Sequence, residues 1–337
     1  MSADAPSWTV CPLAASGRAP APADRHRWDA LWASSGHRSP FATLAYAEAV
    51  QAALGWRYTV LGVEPARGAP LAAGLVAFHR QRGPLVRLGV PPVTPYTPIL
   101  LCDDLDEASI HRRRHPLETL LRALPAGHAD CTLHLAPGLD DARPLQWQGW
   151  TAQPLYTARV PFRDATDPLT QWSASARRVA RKNAPRYVVA PGAPAETVAL
   201  LQASYQRQAR GVPAPPGQLR ALATQLTATG HAQTWTARPT PASAPEAAVT
   251  LLRDDRAAYY WLAGSHPGPA MTVLMGALLP RLQADGLHYF DFVGANTPSI
   301  AEFKRRLGGE RVAYLRAERT QHPWLAAWKA WRTWKRG

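Results

Sequence analysis

The stretch FDFVGANTPSIAEFKRRLGGE (290–310) decides the fold prediction, because it contains the end of one element and the whole of the next. The apolar and aromatic residues LHYFDFV (287–293) are typical of a buried strand. A Thr-Pro pair then supplies the cap and the first position of a helix, and a Gly-Gly pair ends it. The stretch therefore predicts a strand, a short turn and a helix over 297–307.

Lys304 takes an intermediate position on this predicted helix. Ile300, Phe303 and Leu307 share one apolar face, and Lys304 lies about 40° from the centre of that face. At this border between core and solvent, a long side chain can reach into a cleft. Lys304 is therefore a candidate site residue, with an ordinary surface lysine as the alternative.

Outward from this stretch, the chain repeats one order of elements. From residue 24 the first half predicts two helices, three apolar strands and then alternating helices and strands up to residue 162. After a basic helix near 168–184, the second half predicts a strand, two helices, three strands and the same alternation up to residue 318. The repetition predicts two similar α/β units, and two unrelated α/β domains are the alternative.

This order resembles the GNAT acyltransferase fold, and its duplication resembles the tandem GNAT proteins of the FemABX type. Residues 290–310 carry the specific part of the resemblance. They look like the FemABX signature of Asp-Phe-x-Gly, an Asn/Pro turn and a helix with Phe-Lys-x-x-Phe/Leu-Gly-Gly. Supporting segments are SPFATLAYAEAVQAALGW (39–56), PPVTPYTPIL (91–100), SARRVARKNAPRYVV (175–189) and YYWLAG (259–264).

The resemblance implies an α/β (α+β) fold of two tandem GNAT-like domains. Each is expected to be a mixed, mostly antiparallel sheet flanked by helices. The expected bounds are 1–160 for the first domain and 161–319 for the second, which carries the site. A C-terminal helix at 320–337 is expected to return to the first domain.

The same resemblance implies acyl transfer. In the best-known members an aminoacyl group moves from aminoacyl-tRNA to an amine of a peptidoglycan precursor, so we expect that co-substrate and no bound cofactor. Amine attack on an ester creates an oxyanion, and a fixed cation beside it stabilises the transition state. By resemblance, Lys304 neutralises charge on the donor or the oxyanion, and Phe303 shapes the same site.

Four further residues are candidates, each with a structural alternative. Asp291 either accepts a proton from the incoming amine or holds the following turn by hydrogen bonds. Asn296 either orients the substrate or belongs to the turn before the helix. Tyr96 and Tyr260 match family positions that line the cleft, and buried strand tyrosines explain both as well.

Positive charge is a further feature of the chain, with 38 Lys and Arg against 24 Asp and Glu. Arg177, Arg178, Arg181 and Lys182 form one strip on the predicted basic helix, because they are paired at four-residue spacing. The resemblance makes the phosphate of a tRNA end, or of a nucleotide- or lipid-linked cell-envelope precursor, the expected ligand of this strip. A solvated charged face is the alternative.

Several other functions lack support in the sequence. The closest match to the pyrophosphate loop of acetyl-CoA enzymes, at 265–270, lacks the leading Arg or Gln. An acyl-CoA-dependent N-acyltransferase of polysaccharide or lipid biosynthesis is therefore the second choice. His111 and His115 have a metal-ligand spacing, but the three arginines between them repel a cation, so no metal is expected.

The C-terminal HPWLAAWKAWRTWKRG (322–337) combines four tryptophans on one helical side with basic residues. Such a helix either lies on an anionic membrane or packs onto the protein.

The first 30 residues show no secretion signal, and scattered cysteines suit a reducing compartment. We therefore expect a cytoplasmic protein, with a peripheral contact to the inner membrane face as an option. A non-catalytic protein that binds nucleic acid or a membrane surface is the alternative from another class.

Overall fold

The structure is a computed structural model that describes residues 8–102, 110–139, 141–163 and 166–334. Its helices are α1 (Pro22–Ser34), α2 (Leu44–Leu54), α3 (Ile110–Ala123), α4 (Arg143–Trp147), α5 (Ala174–Asn183), α6 (Pro194–Arg207), α7 (Pro216–Ala228), α8 (Ala270–Ala284), α9 (Pro298–Arg306) and α10 (Pro323–Trp334). Its strands are β1 (Thr9–Ala15), β2 (Arg57–Glu64), β3 (Ala73–Arg82), β4 (Leu85–Leu88), β5 (Leu100–Leu101), β6 (Asp130–His134), β7 (Thr151–Pro161), β8 (Val188–Pro191), β9 (Ala232–Arg238), β10 (Ala247–Arg253), β11 (Ala257–Ser265), β12 (Tyr289–Asp291) and β13 (Glu310–Thr320).

The chain divides into two compact units. The first unit comprises residues 1–51, 55–154 and 314–337, and the second comprises 52–54 and 155–313. Both main crossings of the chain, within β7 and within β13, lie inside strands and not in linkers. The domain bounds expected from the sequence, 1–160 and 161–319, stay a prediction.

The first unit contains a mostly antiparallel sheet in the order β1-β2-β3-β4-β6-β13. Strand β4 pairs in parallel with β6, and β6 pairs antiparallel with the last strand of the chain. Leu75 of β3 and Leu133 of β6 are fully buried against Leu120 and Leu121 of α3. This apolar layer between sheet and helix is the core of the first unit.

The second unit repeats this plan in the order β7-β12-β11-β10-β9-β8. Strand β11 pairs in parallel with β12, and the pairs β8–β9, β9–β10, β10–β11 and β7–β12 are antiparallel. Helix α8 is apolar on most of its surface, and its Leu274, Met275 and Leu278 are buried with Phe290 and Phe292. Strand β12 and the residue that follows it therefore contribute Phe290 and Phe292 to this core.

The predicted fold class is confirmed, because each unit is a mixed, mostly antiparallel sheet flanked by helices. In both units an antiparallel run of strands is followed by a helix and then a parallel strand, namely α3 and β6 in the first and α8 and β12 in the second. The sequence prediction misses β1. It also joins the turn at Pro168–Gln171 to α5, whereas Ser173 caps a separate helix by accepting from the Ala176 amide at 3.2 Å.

Gly264 in β11 lets the backbone of α6 lie directly against the sheet. A methyl group there would lie 2.2 Å from main-chain atoms of Leu200 and Leu201. We expect Gly264→Ala to cost about 3 kcal/mol of unfolding free energy, because backbone must move to admit it. Gly276→Ala is the matched control, since its methyl would make ordinary contacts at 3.5 Å or more and improve helix propensity. Equal thermal midpoints for the two variants would contradict this packing.

Candidate functional site

The second unit opens where its two parallel strands separate. Strand β11 pairs with β12 over three residues, up to Tyr259 opposite Asp291. Beyond this point β11 continues to Ser265, whereas β12 ends and the loop 292–297 begins. The carboxyl ends of parallel strands are where ligands commonly bind in sheets of this kind. The loop that follows β12 is therefore the first place to look for a site.

This loop has a strained backbone. Val293 has a φ of 44° and Gly294 a φ of 45°, so two successive residues are left-handed. Glycine adopts this conformation readily, but a β-branched residue such as valine does so at a cost of about 1–3 kcal/mol. Such a conformation persists only where the surroundings hold it, and it is concentrated at functional sites.

The side chain of Lys304, on α9, is hydrogen-bonded to the backbone of this loop. Its Nζ donates to the carbonyl oxygens of Phe292 at 2.9 Å, Gly294 at 2.5 Å and Val293. An ammonium has three N–H donors, so all of them are used. Burial lowers the pKa of Lys304 to about 8, and the nearby Asp291 carboxylate opposes this shift. The loop and the ammonium thus form one charged, hydrogen-bonded unit.

The position of Lys304 corrects the helical-wheel prediction. Lys304 does not stand at the border with solvent, because only 5% of it is exposed. Ile300, which the wheel places on the apolar face, is 37% exposed instead. The reason is that three loop carbonyls accept from the ammonium, so α9 turns its lysine inward. Phe303 lies partly buried against the core of the second unit.

Asp291 fixes the first residues of the loop. Its carboxylate accepts from Thr157 Oγ1 at 2.6 Å, Arg159 Nε at 2.9 Å and the Val293 amide at 2.8 Å, and it is fully buried. Arg159 also stacks 4.4 Å from the Tyr289 ring centre. This arrangement corresponds to the turn-holding alternative for Asp291. Its role as a proton acceptor stays a prediction.

Asn296 fixes the other end of the loop. Its Oδ1 accepts from the Tyr156 amide at 2.8 Å, and its Nδ2 donates to the Tyr156 carbonyl at 3.2 Å. The side-chain amide of Asn296 therefore pairs with the β7 backbone as a neighbouring strand would. This corresponds to the alternative in which Asn296 belongs to the turn before the helix. Tyr260 lies partly buried 5.6 Å from the Phe292 ring, and its burial raises the pKa of the phenol.

An open groove of about 1100 Å³ lies in the same unit. Arg177, Arg178, Arg181 and Lys182 of α5 line it together with Asp167, Thr170 and apolar side chains. The apolar lining residues include Leu169, Ala180, Tyr187, Val189, Val273 and Ala277. Arg177 donates to the Thr170 carbonyl at 2.9 Å, whereas the other three cations have no ion pair with any described carboxylate. The groove thus offers positive charge beside an apolar wall.

The groove helix is joined to the Lys304 helix. The Ser173 amide donates to the Arg306 carbonyl at 2.9 Å, and Arg306 Nη2 donates to Ser175 Oγ at 3.0 Å. These bonds connect the start of α5 to the end of α9. The Trp172 ring lies close to Gly276 of α8 and to Gly308 at the end of α9. Its atoms would be 3.6 Å and 3.3 Å from methyl groups at these two glycines, so the ring fills the space between the groove and the end of α9.

The structure places all but one of the predicted site residues in the second unit, where they form two separate clusters. Asp291, Asn296, Tyr260, Phe303 and Lys304 surround the loop, and the four basic residues line the groove of the same unit. Tyr96 belongs to the first unit instead. It is fully buried, with ring centres of Phe41 at 6.0 Å and Tyr314 at 5.2 Å, so it is part of that core.

Sequence reasoning missed the residues that support the site from a distance. Thr157 and Arg159 alternate on β7 and reach Asp291, which lies more than a hundred residues later in the chain. The signal that was available is a polar and a charged residue two apart within an apolar strand pattern. Val293 gave no signal, because its strain exists only in the folded loop.

No metal centre or membrane span is found within the described ranges. No group of three or more His, Cys, Asp and Glu residues among them is placed to hold an ion. The His111 side chain lies outside the described part. None of the helices described there combines the length and the apolarity needed to cross a bilayer.

Comparison with known proteins agrees with this architecture. Residues 170–305 match the family model described as an acetyltransferase (GNAT) domain. The crystal structure of FemX superposes with a TM-score of 0.69 at 12% identity, over 89% of this chain and 97% of that one. A search of curated proteins finds no match.

Two further solved structures have the same fold. A tandem GNAT protein from the clavulanic acid biosynthesis pathway gives a TM-score of 0.53 at 16% identity, over 93% of this chain and 98% of that one. The structure of L-PGS from Bacillus licheniformis gives 0.54 at 12% identity, over 88% and 92%. Residues 170–305 are thus similar to a GNAT domain, and the chain as a whole has the GNAT-type fold of these solved structures. Its fold is similar to that of FemX and of a tandem GNAT protein, which confirms the resemblance seen in the sequence.

Proposed function

We propose that this protein transfers an aminoacyl group from aminoacyl-tRNA to an amine of a peptidoglycan or other cell-envelope precursor. The observation that carries the proposal is the groove of the second unit. Three of its cations, Arg178, Arg181 and Lys182, have no acidic partner among the described residues, and the apolar wall lies beside them. Unpaired cations of this kind bind phosphates, which both a tRNA end and a nucleotide- or lipid-linked precursor carry.

The proposed chemistry is aminolysis of an ester. The acceptor nitrogen attacks the carbonyl carbon of the aminoacyl ester, a C–N bond forms, and the C–O bond to the tRNA ribose breaks. The proton lost by the amine ends on the departing ribose oxygen. In between, the carbonyl oxygen carries negative charge, which a cation fixed in a water-poor site stabilises.

Lys304 supplies such a cation through the loop. Its hydrogens are taken by the carbonyls of 292–294, so it acts without donating directly to substrate. It fixes the strained backbone and places a positive charge directly behind it. Asp291 and Asn296 hold the two ends of the same loop, which makes them positioning residues in this proposal.

The other parts of the proposal follow from the donor. Aminoacyl-tRNA is a co-substrate and not a bound cofactor, and the tRNA acceptor end is the partner that the groove receives. Charged tRNA is made in the cytoplasm, so we place the reaction there. An acyl-CoA-dependent N-acyltransferase is the second candidate, and the match of residues 170–305 to an acetyltransferase domain favours it.

The experiment compares donors directly. The purified protein is incubated with a nucleotide-linked muramyl pentapeptide and either tRNA charged with a mixture of labelled amino acids or labelled acetyl-CoA. We expect label on the acceptor amine with charged tRNA only. Transfer from acetyl-CoA alone would replace the proposed donor with the second candidate. No transfer from either, with tRNA still bound, would support the non-catalytic alternative.

A further inference from the structure

The last helix of the chain exposes tryptophan to solvent. In α10, Trp324 is 81% exposed and Trp331 is 49% exposed. The two residues are seven positions apart, close to two full turns, so they lie on the same side of the helix. Exposed aromatic residues that recur on one side of an element mark an interaction surface.

The start of α10 is anchored to the first unit. The amides of residues 321–322 both donate to the Ala129 carbonyl, at 3.1 and 3.2 Å. Just before them, Arg319 Nη1 donates to the Gln148 carbonyl at 2.6 Å. The neighbouring Trp147 is 52% exposed as well. The start of α10 is therefore hydrogen-bonded to the first unit, and Trp147 is the sequence neighbour of the residue that Arg319 contacts.

The charged side chains of the C-terminal segment, residues 319–337, are all basic. Residues 319–337 contain five Lys and Arg residues and no Asp or Glu. The basic residues are Arg319, Lys329, Arg332, Lys335 and Arg336. Tryptophan rings settle at the level of lipid headgroups, and basic residues nearby are attracted to anionic phosphates. The composition and the exposed side of α10 therefore complement an anionic lipid surface.

We propose that α10 docks the protein onto an anionic membrane surface, with Trp324 and Trp331 entering the headgroup region. The surface consists of residues of the first unit, whereas the groove is lined by residues of the second. The two assignments are independent, so membrane docking stands whichever acyl donor the groove takes. The bilayer also brings a lipid-linked acceptor within reach of a protein that has docked there.

The test is co-sedimentation of the full chain with vesicles. Vesicles of phosphatidylglycerol and phosphatidylcholine in equal parts are compared with vesicles of phosphatidylcholine alone. We expect binding to the anionic vesicles that weakens as salt is raised. The double variant Trp324→Ser, Trp331→Ser should bind about tenfold more weakly. Val188→Ser with Ile300→Ser is the control, since these exposed apolar residues of the second unit should leave vesicle binding unchanged.

Three results would overturn the proposal. The first is equal binding of the wild type and the tryptophan double variant to anionic vesicles. The second is that single-stranded RNA displaces the protein from anionic vesicles as well as an excess of anionic lipid does, which would make the segment a general polyanion site. The third is a dimer in sedimentation velocity that the variant converts to a monomer, which would make α10 a contact between copies. Unchanged acyl transfer to a water-soluble acceptor shows that the variant is intact.

Discussion

Replacing Lys304 with methionine is expected to abolish acyl transfer and to lower the thermal midpoint of the protein. Methionine fills similar space but leaves the carbonyls of 292–294 without their donor inside the protein. Unsatisfied buried groups cost about 1–3 kcal/mol each, and the strained Val293 then loses the contact that holds it. Turnover is measured with labelled aminoacyl-tRNA, and stability by thermal unfolding.

Arg305→Met is the matched control for this variant. Arg305 is the next residue of α9, is exposed, and pairs only with Glu302 at 2.8 Å among the described residues. Such a surface pair contributes about 0–1 kcal/mol, so the control should keep both activity and midpoint. Full turnover by the Lys304 variant would remove Lys304 from the proposed mechanism.

The pKa of Lys304 gives the same prediction a pH dependence. The pKa is lowered by burial to about 8, so the ammonium that holds the loop is lost as pH rises through about 8. The acceptor amine also titrates, but equally for every variant. We therefore expect the ratio of wild-type to Lys304→Arg turnover to fall as pH rises from neutral towards about pH 10, because arginine stays charged. A constant ratio would show that the charge of Lys304 is not what the reaction uses.

The second large effect is expected at the groove. Changing Arg178, Arg181 and Lys182 together to glutamine should raise the KM for charged tRNA on the order of 100-fold and leave kcat nearly unchanged. The slope of log affinity against log salt should fall by about 2, since each lost phosphate contact removes about 0.7. These side chains are exposed, so the fold should be kept.

A variant of equal charge separates the groove from general electrostatics. Arg25, Arg67 and Arg220 are exposed and do not line the groove, so changing them to glutamine removes the same net charge elsewhere. We expect little change in KM from this variant. An equal rise in KM for both variants would mean that tRNA binding depends on the net charge of the protein. The groove would then not be the tRNA-binding site.

Much of the fold was predictable because local patterns agree with the tertiary structure. The cap, proline and glycine signals of 290–310 place α9 within a residue or two of its observed bounds. The duplicated order of elements follows from strand and helix periods alone. Strand β1 was missed, because TVCPLAA contains a proline and little alternation.

The site was only partly predictable, because its contacts join distant parts of the chain. Lys304 was found by its helix and motif, but its burial depends on three carbonyls whose direction is set by the left-handed turn at 293–294. Thr157 and Arg159, whose side chains donate to Asp291, lie on β7, in the first half of the sequence. The groove likewise combines α5 with Val273 of α8, about ninety residues later. A single sequence can indicate which residues are candidates, but not which distant residues they pair with.

The hydrogen bonds from Lys304 to the loop can form only after α9 has been synthesised. Residues 292–294 leave the ribosome before Lys304, so their carbonyls remain hydrated until α9 has emerged and folded back. Val293 has no reason to hold its left-handed conformation before that moment. The loop of the second unit is therefore fixed only when the last helix of that unit is in place, and a nascent fragment that stops short of residue 304 contains the loop without the ammonium that holds it.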